Sequence, residues 1–180
     1  RLDESGERIP LTVADYDHER GTVTIVVQAL GKTTREMRDD YREGDSFNDF
    51  VGPLGRPQHI ARVGHVVLVG GGLGIAPIFP QLRAFKQAGN RTTCIVGFRS
   101  KELVFWADKL KAYSDELIVC TDDGSAGRPG FVTAALKDVL DAGKPDLVVA
   151  IGPMPMMHAC TDTTRPYGVK TMVSLNAIMV

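Results

Sequence analysis

The 180-residue sequence lacks the marks of several large protein classes. No uninterrupted apolar run approaches the ~20 residues that a membrane-spanning helix needs, so such a span is excluded. Charge of one sign is also missing: 21 Lys and Arg stand against 22 Asp and Glu, a net charge of −1. Phosphate affinity rests on clustered cations, so nucleic acid is not expected as the main partner. Cysteine is scarce, with three residues at 94, 120 and 160. No pair has the close spacing that ligates zinc or an iron–sulfur cluster, and an odd, scattered set is no disulfide framework. Each thiol lies at or near an apolar run and reads as a small buried hydrophobe, which fits a reducing, cytoplasmic compartment. His18, His59, His65 and His158 show no metal spacing, so no metal site is expected in this chain. No Ser/His/Asp or H-E-x-x-H pattern occurs, and no residue is expected to serve as a catalytic acid or base. That absence suits redox work, in which cofactors react and the protein positions them.

What is present changes character near residue 60. Residues 9–15 and 22–29 are β-branched and bounded by polar turn residues, with Asp17 to Gly21 as a hairpin loop. Residues 45–51 make a third candidate strand, and a short helix is expected from Thr33 to Tyr41. Three strands leave exposed edges and an unfilled interior, so residues 1–60 read as the later part of an antiparallel β-barrel whose first strands are absent. Residues 61–180 follow another rhythm. Strands are expected at 66–69, 92–96, 116–120, 146–151 and 169–175, with helices from the turn after Val69 to about Ala88 and over 101–113, 131–142 and 154–163. Short apolar strands alternating with helices predict an α/β fold with a five-stranded, parallel, doubly wound sheet. The first 60 residues carry 8 basic and 12 acidic side chains and the remainder 13 and 10, which mildly favours an anionic ligand on the second part.

The strongest local signal is VVLVGGGLGIAP, residues 66–77. A buried strand runs into a glycine turn and then a helix with Pro77 in its first turn, where a missing N–H costs nothing. Glycines admit close backbone approach, and the helix start offers unpaired N–H groups to a pyrophosphate. A plain strand–helix turn is the simpler alternative. With Gly74 taken as facing the ligand, Gly74→Val is expected to abolish nucleotide binding and leave the fold intact. Pro77 replaces the third glycine of the usual dinucleotide fingerprint, and the second strand ends in Gly97-Phe98-Arg99-Ser100-Lys101 rather than in an acidic residue. Arg99 and Lys101 suit an adenosine ribose or a 2′-phosphate, or simply a solvated helix start. Gly31-Lys32-Thr33-Thr34 looks like the end of a P-loop, but Val26 stands where that motif needs glycine; ATP hydrolysis is rejected. Two further turns, Thr121–Ser125 and Gly152–Met157, follow strand ends on the same edge, as an extended ligand across the sheet would require. Met154, Met156 and Met157 suit either a planar ring or the core.

Seven segments occur in order: GERIPLT (6–12), VVQALGKTT (26–34), GPLGRP (52–57), GGGLGIAP (70–77), TDDGSAG (121–127), GPMPMM (152–157) and SLNAIMV (174–180). Over essentially the whole chain they resemble the ferredoxin–NADP reductase superfamily. The nearest branch is its small flavin subunits, those of dihydroorotate dehydrogenase and of NADH-dependent ferredoxin:NADP oxidoreductase (sulfide dehydrogenase). The resemblance implies a FAD-binding barrel, of which residues 1–60 are the later part, followed by an NAD(P)-binding domain at 61–180. It implies that Arg8, Pro10, Leu11 and Thr12 lie against the isoalloxazine, in place of the family's Arg-Pro-x-Ser-type motif, and that Gly31, Lys32, Thr33 and Thr34 hold the FAD pyrophosphate. Gly71, Gly72, Gly74, Ile75, Ala76 and Pro77 would take the nicotinamide cofactor's pyrophosphate. Arg99, Asp122, Asp123, Gly152, Pro153, Met154 and Met156 would line the rest of that site.

The implied activity is hydride passage between NAD(P)H and FAD, with electrons leaving through an iron–sulfur cluster to a larger partner subunit. The subfamily favours NAD(H), whereas Arg99 and Lys101 favour NADP(H); NAD(H) is the expectation. Relatives continue into a Cys-rich segment that ligates a [2Fe–2S] cluster, which is expected beyond residue 180 in a longer subunit. A non-catalytic nucleotide-sensing module of a redox complex is the alternative.

Overall fold

Asp17 Oδ1 accepts the backbone N–H groups of Glu19 and Arg20 at 2.9 and 3.0 Å, and Gly21 takes a left-handed φ of 63°. This turn joins β1 (Val13–Asp17) to β2 (Thr22–Ile25), an antiparallel pair with an irregular register between Val13 and Asp15. Helix α1 (Lys32–Asp39) follows. The computed structural model describes residues 2, 6, 8–55 and 58–175, and the chain divides into two compact units, Arg1–Gln58 and His59–Val180. Glu7, Arg56, Pro57 and 176–180, each part of a motif quoted above, lie outside the described residues.

In the first unit both expected strands are shorter than their apolar patterns, and the third candidate, 45–51, forms no strand. Tyr41 stacks on Phe47 at 5.2 Å between ring centroids, and Phe47 on Phe50 at 6.0 Å. A strand puts residues three apart on opposite faces, so stacking Phe47 on Phe50 requires a folded loop. Arg42 and Asp45 begin that loop, the Arg42 N–H donating to Asp45 Oδ2 at 2.6 Å and the Asp45 N–H to the Arg42 carbonyl at 3.1 Å. Ala14 is the one buried residue among those described in this unit, as expected where two strands have no third layer to cover.

In the second unit the strands are β3 (His65–Gly71), β4 (Arg91–Phe98), β5 (Glu116–Thr121), β6 (Arg128–Pro129), β7 (Leu147–Ile151) and β8 (Thr171–Val173). The helices are α2 (Ile75–Gln87), α3 (Ala107–Lys111), α4 (Val132–Ala142) and α5 (Met154–Thr164). All six strands are parallel, in the order β6-β5-β4-β3-β7-β8. Val66 and Leu68 enter one core with Ile78, Phe79 and Leu82 of α2; Val67 and Val69 enter the other with Leu136 of α4 and Met157 of α5. This period-2 division is what helices on both faces of a sheet require.

The parallel, doubly wound sheet stands, with six strands where five were expected. The sixth, β6, has two residues, one of them proline, and carries no strand pattern. Gly127 lets it close on β5, since a Cβ there would lie 3.0 Å from the Val119 carbonyl carbon. The expected helix over 101–113 is also revised to a 3₁₀ turn at Lys101–Leu103 and the five-residue α3. Val104, Phe105 and Trp106 pack against the α2-side core instead, and Trp106 adopts a left-handed φ of 59° that stops a continuous helix. Phe79 meets the edges of Trp106 and Tyr113 at 5.7 and 5.5 Å. No helix among the described residues is long and apolar enough to cross a membrane.

Candidate functional site

From β3 the chain steps outward through β4, β5 and β6, then returns to lay β7 on the other side of β3. Strand order therefore reverses between β3 and β7, and in open α/β sheets ligands bind outside the carboxyl ends of strands at such a reversal. The two turns there are formed by GGGLG, which ends β3 and leads into α2, and by GPM after β7. They touch through backbone. A Cβ on Gly74 would lie 2.7 Å from the Ile151 carbonyl carbon and 2.8 Å from Gly152 Cα; one on Gly152 would lie 3.1 Å from both N and O of Gly71. Gly71 lies against the Met156 sulfur, and a Cβ on Gly70 would lie 2.9 Å from Ile75 Cγ1.

Gly72 differs from these. It has a left-handed φ of 54° and nothing within 4 Å of where a Cβ would be. The expectation that Gly74→Val would spare the fold is therefore corrected, because the space beside Gly74 is filled by β7 backbone. Behind the turn, Ile75 and Ala76 are buried and offer a ligand only their backbone, while Pro77 is half-buried. A 3₁₀ turn at Gly72–Gly74 leads directly into α2 and its Gly72 carbonyl accepts the Ile75 N–H. Neither first turn holds an acidic residue or a side-chain cap, so the positive end of this continuous segment lies at Gly72. Of the three methionines, Met157 is core, Met156 lies over Gly71, and Met154 is 61% exposed beside Pro153, which is also exposed.

On the other side of β3, the loops after β4 and β5 are bonded to each other. The Asp122 N–H donates to the Phe98 carbonyl at 3.0 Å and the Asp123 N–H to the Arg99 carbonyl at 3.2 Å. The Lys101 N–H donates to Ser125 Oγ at 2.8 Å, and the Ser125 hydroxyl donates to Asp123 Oδ1 at 2.6 Å. The same carboxylate oxygen accepts the Ser125 N–H at 2.9 Å. These bonds from Ser125 hold the Asp123 carboxyl below its ordinary value. Asp123 thus spends its carboxylate inside its own turn, whereas Arg99, Lys101 and Asp122 present exposed side chains. Ser125 was missed from sequence; its signal was the Asp-x-Ser spacing, which favours a side-chain-closed turn.

Among the residues expected at a flavin, Arg8 donates from Nε to Asp49 Oδ2 at 2.8 Å. Pro10 and Thr12 are exposed and Leu11 half-buried, just ahead of β1. Thr34 Oγ1 accepts the N–H groups of Leu30 and Gly31 at 3.0 and 2.9 Å, so its hydroxyl fixes the start of α1. Thr33 is half-buried, and Lys32 points to solvent 3.8 Å from Glu36. The first turn of α1 also lacks acidic residues. All three cysteines are free and buried, and burial pushes Cys94 and Cys160 up to about 12, so neither is poised as a nucleophile. Among the described residues no group of three or more His, Cys, Asp or Glu is placed to hold a metal ion.

Comparison with known proteins bears on the same region. The model of the oxidoreductase NAD-binding domain family matches residues 68–162. A dihydroorotate dehydrogenase B (NAD(+)) electron transfer subunit homolog from Thermotoga maritima is 49% identical over 180 residues, covering 100% of this chain and 63% of its own length. A dihydroorotate dehydrogenase B (NAD(+)) electron transfer subunit from Fusobacterium nucleatum is 34% identical over 166 residues, 89% of this chain and 63% of its own length. The solved structure of an NADH-dependent reduced ferredoxin–NADP oxidoreductase, a protein described in terms of flavin-based electron bifurcation, superposes with a TM-score of 0.90. It shares 49% identity and covers 100% of this chain and 64% of its own. The chain spans just under two thirds of each of these proteins. With the doubly wound sheet, the glycine turns at its strand reversal and a family match across both, the chain belongs to the oxidoreductase NAD-binding domain family, of the ferredoxin–NADP reductase type.

Proposed function

We propose that this chain is the nucleotide-binding part of an electron-transfer subunit in which hydride passes between NAD(H) and FAD. Electrons then leave through an iron–sulfur cluster, expected beyond residue 180, to a larger partner subunit. The observation that carries this reading is the pair of glycine turns at the β3–β7 reversal, with Gly72 open beside the uncapped start of α2. The residues fit a dinucleotide pyrophosphate there: Gly72 gives close approach, and the first turn of α2 adds no competing carboxylate. Backbone at Gly71, Gly74 and Ala76 borders that contact, and Ile75, whose N–H is held by the Gly72 carbonyl, backs it. Gly152, Pro153, Met154 and Met156 border the nicotinamide half, and Arg99 and Asp122 the adenosine half.

We take Arg1–Gln58 as the later part of a FAD-binding barrel. Arg8, Pro10, Leu11 and Thr12 would lie against the flavin ring, and the Gly31–Thr34 turn would hold its pyrophosphate, with Lys32 adding a cation. Bound FAD would supply the hydride acceptor, and the chain supplies position, which is where its contribution to rate would lie. The exposed Asp122 carboxylate supports NAD(H), since it would accept ribose hydroxyls and repel a 2′-phosphate. The relatives' names as electron transfer subunits support a heteromeric partner, and three buried free thiols fit the cytoplasm.

The test is an anaerobic titration of the full-length subunit. A yellow flavin spectrum bleached by NADH, and less readily by NADPH, is expected. A colourless protein, or a flavin that neither nucleotide bleaches, overturns the proposal.

A further inference from the structure

The Ser125 hydroxyl stands between two loops. It accepts the Lys101 N–H at 2.8 Å and donates to Asp123 Oδ1 at 2.6 Å, bridging the turn after β4 and the turn after β5. Of the hydrogen bonds described between these turns, the two from Asp122 and Asp123 to the Phe98 and Arg99 carbonyls run backbone to backbone and are indifferent to side chains. The bond at Ser125 is the one that a substitution can remove. It also acts farthest along the first turn, at Lys101, past Arg99, where the backbone pairing has ended. An exposed loop that bears two cations and ends in a 3₁₀ turn has few buried contacts to fix it. A side-chain oxygen on its backbone holds it at Lys101, the second of those cations.

We infer that Ser125 is a positioning residue for the adenosine half of the bound nucleotide, with Asp123 as the anchor that orients its hydroxyl and Asp122 as the carboxylate left to meet the ligand. Resting on the nucleotide site proposed above, this adds a residue to it and separates the two neighbouring aspartates into different tasks. Asp123 accepts two hydrogen bonds from Ser125 on one oxygen. The hydroxyl proton is thereby turned toward Asp123, leaving a lone pair for Lys101. In this relay Asp123 acts through Ser125 and touches no ligand.

The test uses the full-length, flavin-loaded subunit, with 5′-AMP and nicotinamide mononucleotide as probes of the two halves, each followed by NMR titration. Ser125→Ala should weaken 5′-AMP binding by about three- to tenfold, the loss of one net hydrogen bond, with the mononucleotide unchanged. Ser125→Thr, which keeps the hydroxyl, should restore it. Asp123→Ala breaks the relay from its other end, and the double variant should bind no more weakly than Ser125→Ala alone, as groups acting in one unit are non-additive. Should Ser125→Ala fail to fold, Asp123→Ala answers the same question. Unchanged 5′-AMP binding, an equal loss for both probes, or additive losses in the double variant each overturn the inference while the nucleotide site stands. Wild-type protein that binds neither probe overturns the nucleotide reading and the positioning role with it.

Discussion

Gly74 and Gly72 sit two residues apart in one turn, and the structure orders their tolerance to alanine against their backbone angles. Gly74 has φ −60° and ψ −13°, an ordinary helical conformation in which alanine is normally favoured. Gly72 has φ 54°, where alanine is strained. Conformation alone predicts that Gly74→Ala is harmless and Gly72→Ala the costly change. Packing reverses this. The Cβ added at Gly74 falls against the Ile151 carbonyl group, 2.7 Å from its carbon and 2.8 Å from Gly152 Cα, where carbon atoms prefer about 3.5–4.0 Å. These neighbours are backbone at the end of a strand whose five residues are all buried, so no rotamer change relieves the overlap. The turn and β7 must separate by roughly 1 Å, a cost of about 3 kcal/mol, at the top of the overpacking range. At Gly72 a Cβ meets nothing within 4 Å, leaving only the left-handed backbone penalty of about 1–2 kcal/mol. In thermal melts of the whole protein followed by far-UV circular dichroism, Gly74→Ala should lower Tm by roughly 10 °C and Gly72→Ala by about half as much. Equal Tm for Gly74→Ala and wild type, or a larger loss at Gly72, would refute the packing argument.

Three further outcomes follow from single sites. Phe79 is fully buried between Trp106 and Tyr113; Phe79→Ala should cost about 3–5 kcal/mol in urea unfolding, and a loss under about 1 kcal/mol would mean the α2-side core closes over the gap. Burial, with help from Arg91, holds His65 below the 6.5 of an unfolded chain. Its contribution is complete above that value and is lost as pH falls through the lower folded-state one, so His65→Gln should flatten the fall in Tm as pH drops below 6.5. Lys86 and the Thr92 N–H, the latter at 2.8 Å, hold the Asp115 carboxyl below its ordinary 3.8. That contribution is present above 3.8 and fades as pH drops through the folded-state value, so Asp115→Asn should flatten the acid limb below about pH 4. An unchanged slope in either pH window would refute the corresponding assignment.

The parallel sheet was legible because its strands are covered on both faces, so β3, β4, β5 and β7 read as unbroken β-branched and apolar runs. Where side chains serve something other than local periodicity, the pattern misled. Lys101 to Tyr113 has a helical rhythm, yet Val104, Phe105 and Trp106 are drawn into the α2-side core and Trp106 turns left-handed. Phe47 and Phe50 stack on one another instead of alternating. Strand β6 exists through Gly127 and the Val119 backbone it approaches, and two residues are too few to carry a pattern.

The candidate site divides in the same way. Its place was readable, because a glycine turn after a buried strand marks the carboxyl edge of such a sheet whatever each glycine does. The task of each glycine was not, since a glycine in sequence records that a side chain is absent and says nothing of what takes its place. At Gly74 that is the Ile151 carbonyl, at Gly71 the Met156 sulfur and at Gly97 Val132, all contributed by later parts of the chain; at Gly72 it is open space. A turn built so that β3 and β7 meet backbone to backbone needs most of its glycines for folding. Gly72 owes its glycine to a left-handed φ of 54° and not to packing, which leaves the space beside it free for a ligand. Gly72, rather than Gly74, is therefore where a substitution separates binding from packing: Gly72→Val should lower Tm through its left-handed φ, keep the circular dichroism spectrum of the sheet below the melt and abolish NADH titration of the full-length subunit, and NADH binding at wild-type affinity would remove the dinucleotide from this turn.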